Sequence, residues 1–139
     1  RLKQNRIFVN MKTKSIVIAM IAVFSIFNFV SAQTVKQMNS TEIQQIILKN
    51  KKIVVLDVRT PQEFDAGHLK DAINIDIYER DFYSRIDKLD KKALYVVYCR
   101  THNRSTAAVQ YMKQKGFVMV YQMMDGFPGW AANKLPFIK

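Results

Sequence analysis

The sequence predicts an α/β protein: a parallel central sheet of about five strands with helices on both faces. Three observations carry this. From residue 34 onward, strand-like and helix-like segments alternate, the order that β-α-β units produce. The strand-like runs at 53–58 and 94–98 are apolar with little alternation, as in strands covered on both sides. Helix-start and helix-stop residues punctuate the stretches between them.

Taken in order, residues 34–38 predict a short first strand, and Asn39 or Ser40 caps a helix running to about Leu48, with Ile43, Ile46 and Ile47 on one face. Residues 53–58 form the first buried strand. Thr60-Pro61-Gln62-Glu63 is a capping box with proline at the first helical position, and Gly67-His68 ends the short helix it opens. Residues 72–76 make another short strand. Residues 79–89 are amphipathic, with Phe82, Ile86 and Leu89 at helical spacing. After the strand 94–98 comes a helix over 105–113, stopped by Gly116. Residues 118–123 are the last strand, Asp125-Gly126 a turn, and 127–132 a closing helix.

The first 32 residues follow a different pattern. Met11-Lys12-Thr13-Lys14 is a basic start, residues 15–30 are almost unbroken apolar, and Val30-Ser31-Ala32 supplies small residues. This tripartite order predicts a secretory signal peptide, residues 11–32, cleaved after Ala32. As a helix the apolar run spans about 24 Å, short of the roughly 30 Å hydrocarbon core. Residues 1–10 precede the expected initiator Met11 and are expected to be an upstream extension outside the fold. The domain is then 33–139, periplasmic or secreted, touching a membrane only through the transient signal peptide.

Charge and cysteine content narrow the function classes. The net charge is +11, but five of the 22 lysines and arginines precede Gln33 while all 11 acids follow it, leaving +6 on residues 33–139. The lysines are interspersed with acids and form no aromatic-interleaved strip, so the pattern speaks against a nucleic-acid partner. A single cysteine rules out an internal disulfide, and with His68 and His102 isolated in sequence it gives no zinc-type cluster. No metal and no cofactor are expected. The oligomeric state is not encoded in these patterns.

That single cysteine opens the segment Cys99-Arg100-Thr101-His102-Asn103-Arg104-Ser105. A lone cysteine is most often a small buried hydrophobe. Here it stands at the C-terminal edge of a strand, where open α/β sheets bind ligands. It also precedes a helix start, whose N–H groups and positive end favour a negative sulfur and a bound anion. Arg100, His102 and Arg104 follow within five residues. The pattern points to a nucleophilic cysteine within an anion-binding loop.

The residues resemble the rhodanese (thiosulfate sulfurtransferase-like) domain family. The resemblance rests on Leu56-Asp57-Val58-Arg59 with Pro61, Glu63 and Phe64, then Gly67-His68-Leu69 and Ala72-Ile73-Asn74-Ile75. It continues through Tyr98-Cys99-Arg100 with Arg104-Ser105, Gly116-Phe117, and Asp125-Gly126 with Trp130, spanning nearly all of residues 34–136. It implies a sulfurtransferase in which Cys99 takes sulfur from a small sulfur-containing anion as a persulfide and passes it to cyanide or a thiol, a protein thiol included. Arg100, Thr101, His102, Asn103, Arg104 and Ser105 would be the binding loop, with Arg100 and Arg104 attracting the donor's sulfonate. Asp57 and Arg59 would brace that loop through an ion pair or backbone contacts.

Four residues separate Cys99 from Arg104, as in the sulfur-transferring members; related phosphatases and arsenate reductases have five, a wider cradle. One departure stands out: His102 occupies a position where related loops often have glycine, which carries a cost wherever φ is positive. A low-turnover sulfur-binding, sensing or protein-interaction module is therefore the competing expectation, with an oxyanion-processing enzyme behind it. Of the remaining motif residues, Glu63 reads as the reciprocal cap of its helix, His68 and Asp125 as turn residues, and Trp130, Phe127 and Phe137 as core or rim, with Trp130 the candidate for an apolar wall.

Overall fold

The computed structural model describes residues 33–139; the expectations for residues 1–32, a leader cleaved after Ala32 among them, lie outside the described residues. Five strands, β1 (Thr34–Met38), β2 (Val54–Asp57), β3 (Ile73–Asn74), β4 (Leu94–Tyr98) and β5 (Met119–Met123), form one sheet in the order β1-β5-β4-β2-β3. Every pairing is parallel. The helices are α1 (Ser40–Lys49), α2 (Pro61–Asp65), α3 (Phe82–Asp87), α4 (Asn103–Gln114) and α5 (Gly126–Ala132).

The two faces of the sheet carry separate apolar layers. On one, Leu56, Tyr95, Val97 and Val120 pack with Phe82 and Ile86 of α3 and Ala108, Val109 and Met112 of α4. On the other, Val55, Val96, Tyr98 and Met123 pack with Ile43 of α1 and Trp130 of α5. Successive residues of β2 and β4 thus feed opposite layers, which is why their sequences show no polar alternation.

The predicted caps close as expected. Asn39 accepts the Glu42 N–H at 2.9 Å while Glu42 accepts the Asn39 N–H, and Thr60 with Glu63 forms the same reciprocal arrangement at α2. Two segments contract: 72–76 pairs only at Ile73 and Asn74, and the amphipathic 79–89 is helical only over 82–87. β3 is an outer strand; its Asn74 side chain donates to the carbonyls of Asp57 and Arg59, and just beyond it the Ile75 N–H donates to the Asp57 carbonyl at 2.9 Å. α4, by contrast, begins two residues earlier than its apolar spacing suggests. The His102 carbonyl already accepts the Thr106 N–H at 2.8 Å, placing Arg104 and Ser105 inside the first turn.

Because all strands run the same way, the C-terminal ends of β2, β4 and β5 lie at one edge. The register sets Asp57 beside Tyr98 and Gln122 beside Val97, so both neighbouring strands pair with β4 to within two residues of Cys99.

Candidate active site

Cys99 leaves β4 on the α4 side of the sheet, and the chain turns at once into that helix. The first N–H groups of a helix have no partner within it and normally meet an oxygen of the capping residue. His102, the capping residue of α4, offers no side-chain bond. Instead the Ser105 N–H points at Cys99 Sγ, 3.4 Å away, and the Ser105 hydroxyl lies 3.6 Å from the same sulfur. The sulfur therefore takes the place of a cap, at the positive end of a twelve-residue helix. An acceptor with negative charge is favoured there.

The loop itself bends without glycine. His102 has φ −140°, on the negative side, so the cost that a side chain carries at positive φ does not arise. The glycine that this geometry needs is on the neighbouring loop. Gly126, at φ +61°, lies so close to the thiol loop that a Cβ would stand 2.2 Å from the Arg100 carbonyl oxygen. From the same turn the Phe127 N–H donates to the Cys99 carbonyl at 3.0 Å, tying the start of α5 to the cysteine.

Cys99 is 1% exposed and belongs to the α4-side core layer, deeper than a strand-edge nucleophile was expected to sit. Arg100, Thr101, His102 and Asn103 are exposed above it. Arg100 lines a pocket of about 260 Å³ together with Arg59, Glu63, Ala66, Phe127 and Pro128. The apolar wall of this pocket is Phe127. Trp130, expected as core or rim and as the candidate wall, is core: it lies in the opposite layer with its indole N–H donating to the Pro136 carbonyl.

Arg104 does not stand free over the sulfur. Its guanidinium makes a two-pronged pair with Glu63 of α2, at 2.6 and 2.8 Å, and lies 5.7 Å from the centre of the Tyr78 ring. Its hydrogen bond to Arg104, against the opposing effect of burial, holds the Glu63 carboxyl at about 2, well below the usual carboxylate range. Reciprocally, the bond to Glu63 raises Arg104 further above its already high value, and the nearby Cys99 sulfur adds to this. Glu63 thus caps its own helix and also anchors the catalytic-type loop, a second role that its local sequence did not announce.

Asp57 and Arg59 form a buried pair, with Arg59 Nη2 donating to Asp57 Oδ2 at 2.6 Å. Burial works against the Arg59 charge, and the Asp57 carboxylate together with Tyr98 more than offsets it. Arg59 also donates to the Gly67 carbonyl at 2.7 Å and lies 4.3 Å from the centre of the Phe127 ring. The pair therefore braces the α2–β3 connection and the pocket wall, and approaches the thiol loop through Phe127 and through Tyr98, whose ring centre lies 5.3 Å from the Arg59 guanidinium. Next to it, burial, reinforced by Asp57, drives the Tyr98 phenol far above its usual range; its oxygen accepts the Leu69 N–H at 3.2 Å.

His68 holds a turn, with Nδ1 2.9 Å from the Phe64 carbonyl and its ring stacked on Phe64. Asp125 accepts from the Ser40 N–H and hydroxyl, joining α1 to α5 rather than meeting the thiol loop. Gln122, absent from any sequence expectation, is 1% exposed and donates into the first turn of α4. Among the described residues no group of three or more His, Cys, Asp or Glu side chains gathers to hold a metal.

This geometry can be set beside known proteins. The rhodanese-like domain pattern matches residues 39–133. A sulfurtransferase of Allochromatium vinosum is 28% identical over 104 residues, covering 75% of this chain and 95% of the relative. The thiosulfate sulfurtransferase GlpE of Coxiella burnetii is 30% identical over 98 residues, covering 70% of this chain and 89% of that protein. Among solved structures, a rhodanese-related protein of Thermoplasma volcanium superposes with a TM-score of 0.66 at 29% identity, over 74% of this chain and 97% of its own.

Proposed function

The chain belongs to the rhodanese-like domain family, and from that premise we propose that it moves sulfane sulfur from a thiosulfate-type donor to a thiol or cyanide through a persulfide on Cys99. The observation that carries this reading is the Ser105 N–H aimed at the Cys99 sulfur from the first turn of α4. It is supported by relatives whose names state sulfur transfer.

The Cys99 thiolate attacks the outer sulfur of the donor; the donor's S–S bond breaks and sulfite leaves with its electron pair. A second nucleophile then takes the outer sulfur from Cys99 and restores the thiolate. The Ser105 N–H and the helix end stabilise the charge that sits on sulfur before and after each displacement. Exposed Arg100, beside the pocket, attracts the donor's sulfonate, while Arg104 is committed to Glu63 and acts by holding the first turn of α4 in place. With the sulfur 1% exposed, a donor reaches it only once the residues that cover it move aside.

The same burial favours a second reading, a domain that loads sulfur and holds it, with slow release to small acceptors. The leader pattern at residues 11–32 supports an exported protein, acting in the periplasm or outside the cell after cleavage behind Ala32. Mass spectrometry of the intact protein with excess thiosulfate tests the reaction. The protein gains one sulfur atom, and Cys99→Ser gains none and releases no sulfite. An unchanged mass in donor excess would refute sulfur loading; loading followed by slow discharge to both cyanide and thiols would select the second reading.

A further inference from the structure

Gln122 sits behind the thiol loop, on a strand whose flanking core positions, Val120 and Met123, are apolar. A buried amide lowers stability unless its hydrogen bonds are met. Here Nε2, with two hydrogens to donate, has three acceptors in one place, and the two hydroxyl oxygens are the nearer: Thr106 Oγ1 at 2.7 Å, Ser105 Oγ at 3.1 Å and the His102 carbonyl at 3.2 Å. All three belong to the turn that carries the sulfur's hydrogen-bond neighbours.

The protons in this cluster can be counted. The Ser105 hydroxyl has one hydrogen and two acceptors within reach, the His102 carbonyl at 3.0 Å and Cys99 Sγ at 3.6 Å. While the sulfur is protonated, its S–H points at Ser105 Oγ and the hydroxyl hydrogen goes to His102. Once the sulfur has given its proton to solvent it is acceptor only, and the hydroxyl turns to donate to it. The His102 carbonyl is not stranded by that turn, because it keeps the Thr106 N–H and hydroxyl, both at 2.8 Å, while the two Nε2 hydrogens of Gln122 go to Thr106 Oγ1 and Ser105 Oγ. In either state Ser105 Oγ accepts from Gln122, which fixes the oxygen and polarises its hydroxyl toward the sulfur.

We propose that Gln122 is a positioning residue that acts through Ser105, supporting a hydroxyl that swings from the His102 carbonyl to the Cys99 sulfur when the thiolate forms. The assignment rests on Cys99 being the nucleophile, as argued above. It concerns the state of the sulfur and not the identity of the donor.

The test is the rate of Cys99 alkylation by iodoacetamide across pH, measured on the full chain and on Gln122→Met, Ser105→Ala and the double variant. The charged and titratable groups around the loop are common to all four: Arg100, His102 and Arg104 of the loop, Asp57 and Arg59 at the end of β2, Glu63 of α2, Tyr98 of β4 and Asp125 before α5. Each single variant should be alkylated about fivefold more slowly at pH 7, with its profile displaced to higher pH. The double variant should match Ser105→Ala alone, because Gln122 works through that hydroxyl. A Gln122→Met protein that melts earlier yet keeps the original profile would reduce Gln122 to packing and overturn the proposal. If Gln122→Met does not fold, an unshifted profile in Ser105→Ala overturns it equally. Sulfur loading is no part of this readout, so failure to accept sulfur from thiosulfate leaves the assignment standing.

Discussion

Asp57–Arg59 and Glu63–Arg104 are both arginine–carboxylate pairs near one sulfur, yet they differ in where their charge lies. The side chains of the first are 0% and 4% exposed, those of the second 29% and 16%. The first spans two residues of one strand end; the second joins side chains 41 residues apart. A buried pair is held by the cost of leaving either member alone, whatever the pair itself is worth. A rim pair contributes little to stability and a great deal to geometry, since its fork fixes the angle at which α4 meets the sulfur. Near this sulfur, the interior pair preserves the fold and the outer one sets the aim of the loop.

The contrast can be broken at its strong end first. Arg59→Met leaves the Asp57 carboxylate buried without its partner and should lower unfolding stability by about 3–5 kcal/mol, read from the urea midpoint. A loss under about 2 kcal/mol would show that this pair is no more than the rim pair in a different place. Gly126→Ala comes next, because it presses on the thiol loop from a side that neither pair touches. Its Cβ would meet the Arg100 carbonyl at a residue with φ +61°, and a loss of about 2 kcal/mol with faster alkylation of an uncovered Cys99 is expected.

Glu63→Gln should be the mildest, about 1–2 kcal/mol in the same urea assay at pH 7, while slowing sulfur loading by displacing Arg104. That is less than the lowered carboxyl alone implies, because solvent screens this part-exposed pair. Its pH dependence has a definite sign. Glu63 is lowered in the folded protein from 4.5 to about 2, so its contribution is complete above about 4.5 and is lost as pH falls toward 2. The gap between the wild-type protein and Glu63→Gln should therefore close over that window. A gap that stays constant from pH 7 to pH 2 would mean that the Arg104 bond is not what holds the carboxyl ionised.

How much of this was legible differs from residue to residue for physical reasons. Cys99 and the helix behind it stood out because strand, thiol and first turn are contiguous, and local geometry follows from local sequence. The caps at Asn39 and Thr60 were legible on the same ground: each bond closes within three residues. Glu63 was only half legible, since its cap is local while its bond to Arg104 crosses from α2 to α4. Gln122 was not legible at all, being one polar residue in a strand whose partner turn lies 16 to 20 positions away. The demand for glycine near the loop was read at His102, but it falls on Gly126, because the crowding comes from a second loop and not from the bend of the first.

The sequence by itself determined the alternation of strands and helices, the parallel sheet, and a thiol delivered to a helix end, because periodicity, caps and apolar runs act over a few residues at a time. Only the tertiary structure decided that the sulfur is covered, that Arg104 is bound to Glu63, and that a buried amide stands behind the loop. Those outcomes depend on which strand ends are neighbours, and chain separation carries no signal of that until the sheet has closed.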